Sequence, residues 1–378
     1  MKFLHLSDLH LGKRIKEYSM IEDQKYILDQ IIKIAETNRP DAVIIAGDIY
    51  DRSLPSEEAV NLFDSFLNDL TQYTDNVFIL CGNHDSPERL AFGRKIFQKH
   101  KIHFSAVFNG PPEPITLEDQ WGKVYVHMLP FIKPAIVRSF YNEIQIENCQ
   151  QAMEAVIQSM NINTEERNIL IAHQFLTDGI TSESEIRFVG GTDNIDADLF
   201  SDFDYTALGH LHCPQSIKCD TIRYAGSPLK YSLSEVDHKK SVVLAELKEK
   251  GKADIQIIPL IPLHEMRKIR GPYSDLIKAE CAEGEKRDDY VWIVLTDEDE
   301  LPNALREFRS VYPNVMELKY DNCRTRSHSQ TETLKDVEKI SPLDAFEKLY
   351  VSQNNQEMTE EQKEFLLQLI NTIWGEVQ

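Results

Sequence analysis

A chain of 378 residues, 42% hydrophobic and 27% charged, is too long for one typical core and too apolar to be disordered, so two or three folded domains are expected. The formal net charge of −21 argues against a protein that coats nucleic acid by bulk positive charge, though not against a local groove whose phosphates are met by bound metal or a partner. No apolar stretch approaches the roughly 20 residues of a membrane span, and the polar start Met1–Asp8 is unlike a signal peptide, so a cytoplasmic location is expected.

The first half alternates short apolar runs with helical patterns. Lys2–Leu6 reads as a strand, and Ile21–Ala35 places Ile27, Leu28, Ile31, Ile32 and Ala35 on one helical face. Ala42–Ala46 is a buried strand by length and branching. Pro55-Ser56 opens a helix carrying Val60, Phe63, Phe66 and Leu67, and Val77–Leu80 is a further strand. Strand-like runs follow at Val124–Met128, Ile169–Ala172, Tyr205–Leu208, Ile222–Ala225 and Val242–Leu247, with a helix over Gln150–Met160. This βαβα order predicts an α/β layered fold over residues 1–261.

The pattern restarts after Ile261. Strand Val291–Leu295, helix Leu301–Val311 and strand Val315–Tyr320 make a small α/β domain over 262–320. Residues 321–340 are polar and read as a linker. Residues 341–378 are helical again: Ser341-Pro342 supplies an N-cap and a first-turn proline, and Thr359-Glu360-Glu361-Gln362 fits a capping box. The six cysteines, Cys81, Cys149, Cys213, Cys219, Cys281 and Cys323, form no CxxC pair, so reduced thiols rather than a zinc ribbon are expected.

One regularity outweighs any single motif. Five apolar runs each end in side chains of metal-ligand type: Asp8 and His10, then Asp48, then Asn83 and His84, then His173, then His210 and His212. In open α/β sheets, sites form outside the carboxyl ends of strands. Carboxylate, imidazole and one amide, with no thiolate, suit manganese, iron or zinc in mixed N/O coordination. Eight groups are too many for one ion and suit two ions sharing a carboxylate. Asp48 is the expected bridge, because Gly47 before it permits close backbone approach. Asp8 and His10, at i and i+2, are expected on one side of an extended segment, whereas bending after the strand could split His210 from His212. His5 and His127 lie inside strand-like runs and are left as core or surface histidines.

These residues carry a resemblance. Asp8-Leu9-His10, Gly47-Asp48, Gly82-Asn83-His84-Asp85, His173 and Gly209-His210-Leu211-His212 resemble the five motifs of the calcineurin-like metallophosphoesterases. The strings Asn83–Arg89 and Gly226–Ser232 narrow it to a nuclease subfamily whose members partner an ABC-type coiled-coil ATPase. The resemblance implies two divalent ions, Mn2+ foremost. Asp8, His10, Asp48 and His212 would hold one, and Asp48, Asn83, His173 and His210 the other. His84 is then left as a catalytic residue near the scissile phosphate, steered by Asp85. The implied activity is hydrolysis of DNA phosphodiester bonds, exonucleolytic at duplex ends and endonucleolytic on single strands or hairpins, in repair and recombination. A small-molecule phosphodiesterase or phosphatase on the same site is the alternative.

Among nearby basic residues, Lys13, Arg14, Lys16, Arg89, Arg187, Lys230, Lys239 and Lys240, phosphate steering is weighed against plain surface charge; Lys13, Arg14 and Arg89 are retained as substrate contacts. The resemblance also implies a capping role for 262–320 and homodimerisation through nuclease-domain helices, for which Phe63, Phe66 and Leu67 would serve unless they face the core. The helices in 341–378, with Leu343, Phe346, Leu349 and Tyr350 on one face and Leu366, Leu369, Ile370, Ile373 and Trp374 on another, are expected to dock on the ATPase.

Overall fold

The computed structural model describes residues 1–185, 194–278, 287–322, 342–354 and 357–374. The expected linker falls almost wholly outside them, as does Arg187. The chain divides into two units, Met1–Met266 and Arg267–Gln378.

In chain order the first unit begins with strands β1 (Lys2–Leu6), β2 (Arg14–Ile15), β3 (Tyr18–Ser19), β4 (Ala42–Ile45), β5 (Asn76–Leu80), β6 (Ile102–Ser105) and β7 (Ile115–Asp119). It continues with β8 (Gly122–Leu129), β9 (Arg167–His173), β10 (Tyr205–Gly209), β11 (Gln215–Ile217), β12 (Cys219–Tyr224), β13 (Ser241–Leu247) and β14 (Ala253–Pro259). Two six-stranded sheets result, in the orders β14-β13-β1-β4-β5-β6 and β11-β12-β10-β9-β8-β7. In the first, β1, β4, β5 and β6 are parallel, and β13 and β14 add antiparallel partners at one edge. In the second, β8, β9, β10 and β12 are parallel, with β7 and β11 antiparallel at the two edges.

The inner faces of the sheets make one core, in which Phe3, Ile44, Phe78, Val126, Ile171, Tyr205 and Val243 are buried. Outside the second sheet, Leu170 and Leu208 pack with Met153 and Val156 of the helix Cys149–Ser159. On the first sheet the alternate residues Val43, Ile45, Val77 and Ile79 are also buried. The helices Ile21–Asn38 and Glu57–Leu70 pack together and bury Ile27, Leu28, Ile31, Phe63 and Phe66. Strands covered on both faces read as unbroken apolar runs, which is why the central strands were recognisable by composition. Of the two readings of Phe63, Phe66 and Leu67, the core reading holds, since all three are buried, while Val60 on the same helix is exposed. His5 and His127 are both core residues. His5 joins the sheets, with Nδ1 2.9 Å from the Tyr205 hydroxyl and Nε2 3.1 Å from the Leu208 carbonyl oxygen. Burial pushes its imidazole down to about 3.

The second unit holds a three-stranded sheet in the order β15 (Met266–Gly271), β16 (Tyr290–Leu295), β17 (Val315–Tyr320), with β16 and β17 parallel. The helix Ala304–Val311 sets Phe308 against Val291, Ile293 and Leu295. Further along are the helices Pro342–Asn354 and Glu360–Trp374. The expected capping box forms: Thr359 N donates to Gln362 Oε1 at 2.9 Å, and Gln362 N to Thr359 Oγ1 at 3.3 Å.

Candidate metal centre

The five loops that follow β1, β4, β5, β9 and β10 converge, so every expected ligand arrives at a strand's carboxyl end. Three glycines let them meet. A Cβ on Gly47 would lie 2.2 Å from His173 Nδ1, one on Gly82 2.1 Å from Asp48 Oδ1, and one on Gly209 1.9 Å from the Ala46 carbonyl oxygen. The β1 and β4 loops are zipped by Asp8 N donating to Gly47 O at 3.1 Å and His10 N to Asp48 O at 2.9 Å.

The expected extended segment is absent. Asp8 has φ +53°, His10 +45°, Asp48 +47° and His210 +105°. Such left-handed backbone costs of order 1–3 kcal/mol per non-glycine residue and persists only where surrounding contacts impose it. Asp8 and His10 therefore come together through tight turns rather than pleat alternation. His210 and His212 are split, as chain bending allows: His210 Nδ1 lies 3.0 Å from Asn83 Oδ1, and His212 Nε2 lies 3.1 Å from His10 Nε2.

Protons can be placed from the outer partners. His173 Nδ1 donates to the Ala46 carbonyl at 2.8 Å, and His212 Nδ1 to Glu235 Oε1 at 3.2 Å. Each Nε2 is then the nitrogen directed inward. His173 Nε2 faces Asn83 Oδ1 at 3.0 Å and Asp48 Oδ2 at 3.3 Å, both acceptors. His212 Nε2 faces another imidazole nitrogen, whose own Nδ1 is buried without a hydrogen-bond partner among the described residues. Ligand-type oxygens and nitrogens pressed together, with at most a displaceable proton between them, fit divalent cations. Asp8, His10 and His212 form one such group, Asp8, Asp48 and His173 a second, and His10, Asp48 and His84 a third.

Electrostatics agree. Burial pushes His10 well below the ordinary imidazole range and His210 down to about 3, which leaves both rings neutral ligands. Burial raises Asp8 to about 6. Burial also works to lower His173, but the Asp48 carboxylate beside it overrides this and lifts it to about 9. The carboxylates thus hold a proton on His173 for which a divalent cation competes.

Asn83 and His84 are only half-buried, whereas the other six side chains are buried. His84 Nδ1 donates to the Asp51 carbonyl at 2.9 Å, and the ring stands edge-on to His10 at 4.8 Å. Asp51, not Asp85, therefore orients it. Asp85 is buried and accepts from the backbone N–H groups of Ile49, Tyr50 and Gly82, which makes it the clip between the β4 and β5 loops. Lys13 pairs with Asp51 at 2.7 Å, Arg14 is exposed and donates to the Glu17 carbonyl, and Arg89 is exposed. Lys240 is buried, so neither solvent charge nor phosphate steering describes it.

The supporting roles of four residues escaped the sequence reading. Gln24 donates to the His10 carbonyl at 2.7 Å and accepts from Gly12 N at 2.9 Å, and Tyr231 donates to the Leu9 carbonyl at 2.6 Å. Glu235 and Lys240 hold His212. A polar residue inside the apolar stripe of a helix was the available signal for Gln24, and membership of the Gly226–Ser232 string the signal for Tyr231.

Parallel strands that deliver paired carboxylates, imidazoles and an amide to one point define a metal-dependent phosphoesterase. A family model described as calcineurin-like phosphoesterase matches residues 1–214, and one described as type 5 capsule protein repressor C-terminal domain matches residues 262–354. Over 380 residues the chain is 32% identical to the SbcD subunit of nuclease SbcCD from Staphylococcus epidermidis, covering 99% of both chains. It is 31% identical to the same protein of Staphylococcus saprophyticus, covering 100% of this chain and 99% of that one. The chain belongs to the SbcD nuclease family of calcineurin-like phosphoesterases. Among its described residues no helix is long and apolar enough to cross a membrane.

Proposed function

We propose that this chain is the manganese-dependent nuclease subunit of an ATP-driven complex, cutting DNA from duplex ends and nicking single strands or hairpins in repair and recombination. The observation that carries the reading is the convergence of His173 and His212 Nε2 with the Asp48 carboxylate, the Asn83 amide oxygen and His10 Nε2, in contacts of at most 3.3 Å. Asp8, His10, Asp48 and His212 would hold one ion, and Asp48, Asn83, His173 and His210 the other. Ions held by these residues would supply water activation and charge neutralisation during displacement at a phosphodiester.

The chain's own residues supply the rest. Asp48 is held for shared use, with Oδ2 toward His173 and Oδ1 accepting from His84 N at 2.9 Å. His84, at the half-exposed mouth with Nδ1–H committed to the Asp51 carbonyl, would in its doubly protonated form give the Nε2 proton to the leaving oxygen and end as the neutral Nδ1–H ring. Lys13 acts through Asp51, and the exposed Arg14 and Arg89 meet backbone phosphates. The sequence carries no helix-turn-helix or zinc-finger signature, which suits cutting without sequence choice.

The exposed Phe346, Leu349, Val351, Phe365, Leu367 and Leu369 on the last two helices form the docking surface for the coiled-coil ATPase partner. Homodimerisation would use Leu54, Val60 and Phe92, exposed residues that line one groove, since Phe63 and Phe66 are buried. The test is cleavage of linear duplex DNA and of a single-stranded circle with Mn2+, with and without the ATPase. Metal-dependent nicking alone, and duplex-end degradation only with ATPase and ATP, is the expected result. Hydrolysis of small phosphodiesters with no cleavage of either DNA would overturn the proposal.

A further inference from the structure

Glu235 has no solvent exposure, yet its carboxylate has a dense set of donors. His212 Nδ1 lies 3.2 Å from Oε1, and Lys240 Nζ donates to Oε2 at 2.6 Å. Hydroxyls of Ser184, Ser227 and Ser232 point to the same two oxygens. Lys240 is buried too, and it directs its other protons to the His212 carbonyl and the Ser227 hydroxyl, each at 2.8 Å.

A buried ion pair is a poor stabilising device, because desolvation offsets its attraction, and an apolar pair of like volume commonly serves the fold as well or better. An apolar pair cannot decide which ring nitrogen of His212 carries the proton. A carboxylate can only accept, so Nδ1 is the protonated nitrogen and Nε2 keeps its lone pair, aimed at His10 Nε2 3.1 Å away. Lys240 grips the backbone of the same residue. Ring and main chain of one ligand are therefore held by the two ends of a single ion pair.

We infer that Glu235 and Lys240 are positioning residues of the metal centre: together they hold His212 in its Nδ1–H tautomer and orientation, and so set the affinity for the ion that Asp8, His10 and His212 would share. The inference rests on the ligand set proposed above. Carboxylate partners of ligating histidines act in this way in general, and their removal costs about 10–100-fold in metal affinity.

The discriminating variant is the double substitution Glu235→Leu with Lys240→Met in the full chain, which removes the ion pair without leaving a lone buried charge. Glu235→Gln is the second variant, should the double one fail to fold. The readouts are calorimetric Mn2+ binding, the thermal midpoint of metal-stripped protein, and the tautomer of His212 from 15N-histidine correlation spectra. Expected are an undiminished midpoint, loss of the pure Nδ1–H signature, and about 10–100-fold weaker binding at one of the two ions, with the other unchanged. His212→Ala serves as the reference for that ion. If His212→Ala weakens one ion while the double variant and Glu235→Gln bind both with wild-type affinity, the pair is structural only and the inference falls. If His212→Ala leaves both ions untouched, the ligand set itself is wrong and the inference falls with it.

Discussion

Gly82→Ala tests how tightly the β4 and β5 loops are fitted. The added Cβ would lie 2.1 Å from Asp48 Oδ1 and 2.4 Å from Asp48 N, where ordinary contact begins at 3.4 Å. One side must therefore yield by more than an ångström. Neither is loose: Gly82 N donates to Asp85 Oδ2 at 3.0 Å, and Asp48 Oδ1 accepts from His84 N at 2.9 Å. The backbone of Gly82 lies outside the left-handed region, so the contact alone carries the effect. A misplacement of about 1 Å at a reacting centre costs about 100-fold in rate. That is about 2.7 kcal/mol of barrier. Overpacking of this kind adds about 1–3 kcal/mol of lost stability. The assay is Mn2+-dependent hydrolysis of bis(p-nitrophenyl) phosphate beside a thermal melt. Gly251→Ala is the control, since nothing lies within 4 Å of a Cβ there and only the cost of its φ of +78° is felt. Wild-type kcat/KM in a folded Gly82→Ala variant would refute the reasoning.

Three other outcomes are expected. His84→Ala should cut DNA cleavage by about 10²–10⁴-fold with both ions retained on metal analysis, and loss of an ion would make His84 a ligand instead. Deleting 341–378 should leave Mn2+-dependent nicking of single strands intact while abolishing co-purification with the ATPase; undiminished ATPase affinity would assign those helices to packing within the chain. Asp119→Asn should destabilise the fold by about 1–3 kcal/mol, because Arg167, with 3% of its side chain exposed, loses one of its two carboxylate hydrogen bonds while keeping the Gly122 and Lys248 carbonyls. Burial works to raise Asp119, but the Arg167 hydrogen bonds outweigh it and hold the carboxyl well below the usual range. Its contribution is therefore full above about pH 4 and is lost as pH falls from there toward the depressed folded value. Chemical denaturation across that range should show a slope in wild type that the Asn variant lacks.

The central strands were legible in the sequence because burial on both faces forces unbroken β-branched and apolar runs, and each such run ended in its ligand. The edge strands β6, β7, β11 and β14 were not read, since half-exposed residues such as those of Ile115–Asp119 become a strand by pairing with β8 rather than by composition. The capping box at Thr359 was legible because it closes over four residues, within reach of a local pattern.

What the tertiary structure alone decided is non-local. The left-handed turns at Asp8, His10 and Asp48 are held by hydrogen bonds between the β1 and β4 loops; Asp and His tolerate that backbone better than most residues, but only the docking of the two loops imposes it. The choice of Asp51 over Asp85 as the partner of His84 depends on how two loops 33 residues apart dock. Glu235 and Lys240 look like ordinary surface charge in sequence, in a stretch of Ser, Asp, His and Lys. They become buried partners of His212 only when the chain folds β10 and β13 into opposite sheets, because a charge is withdrawn from water only where the fold has assembled its complement.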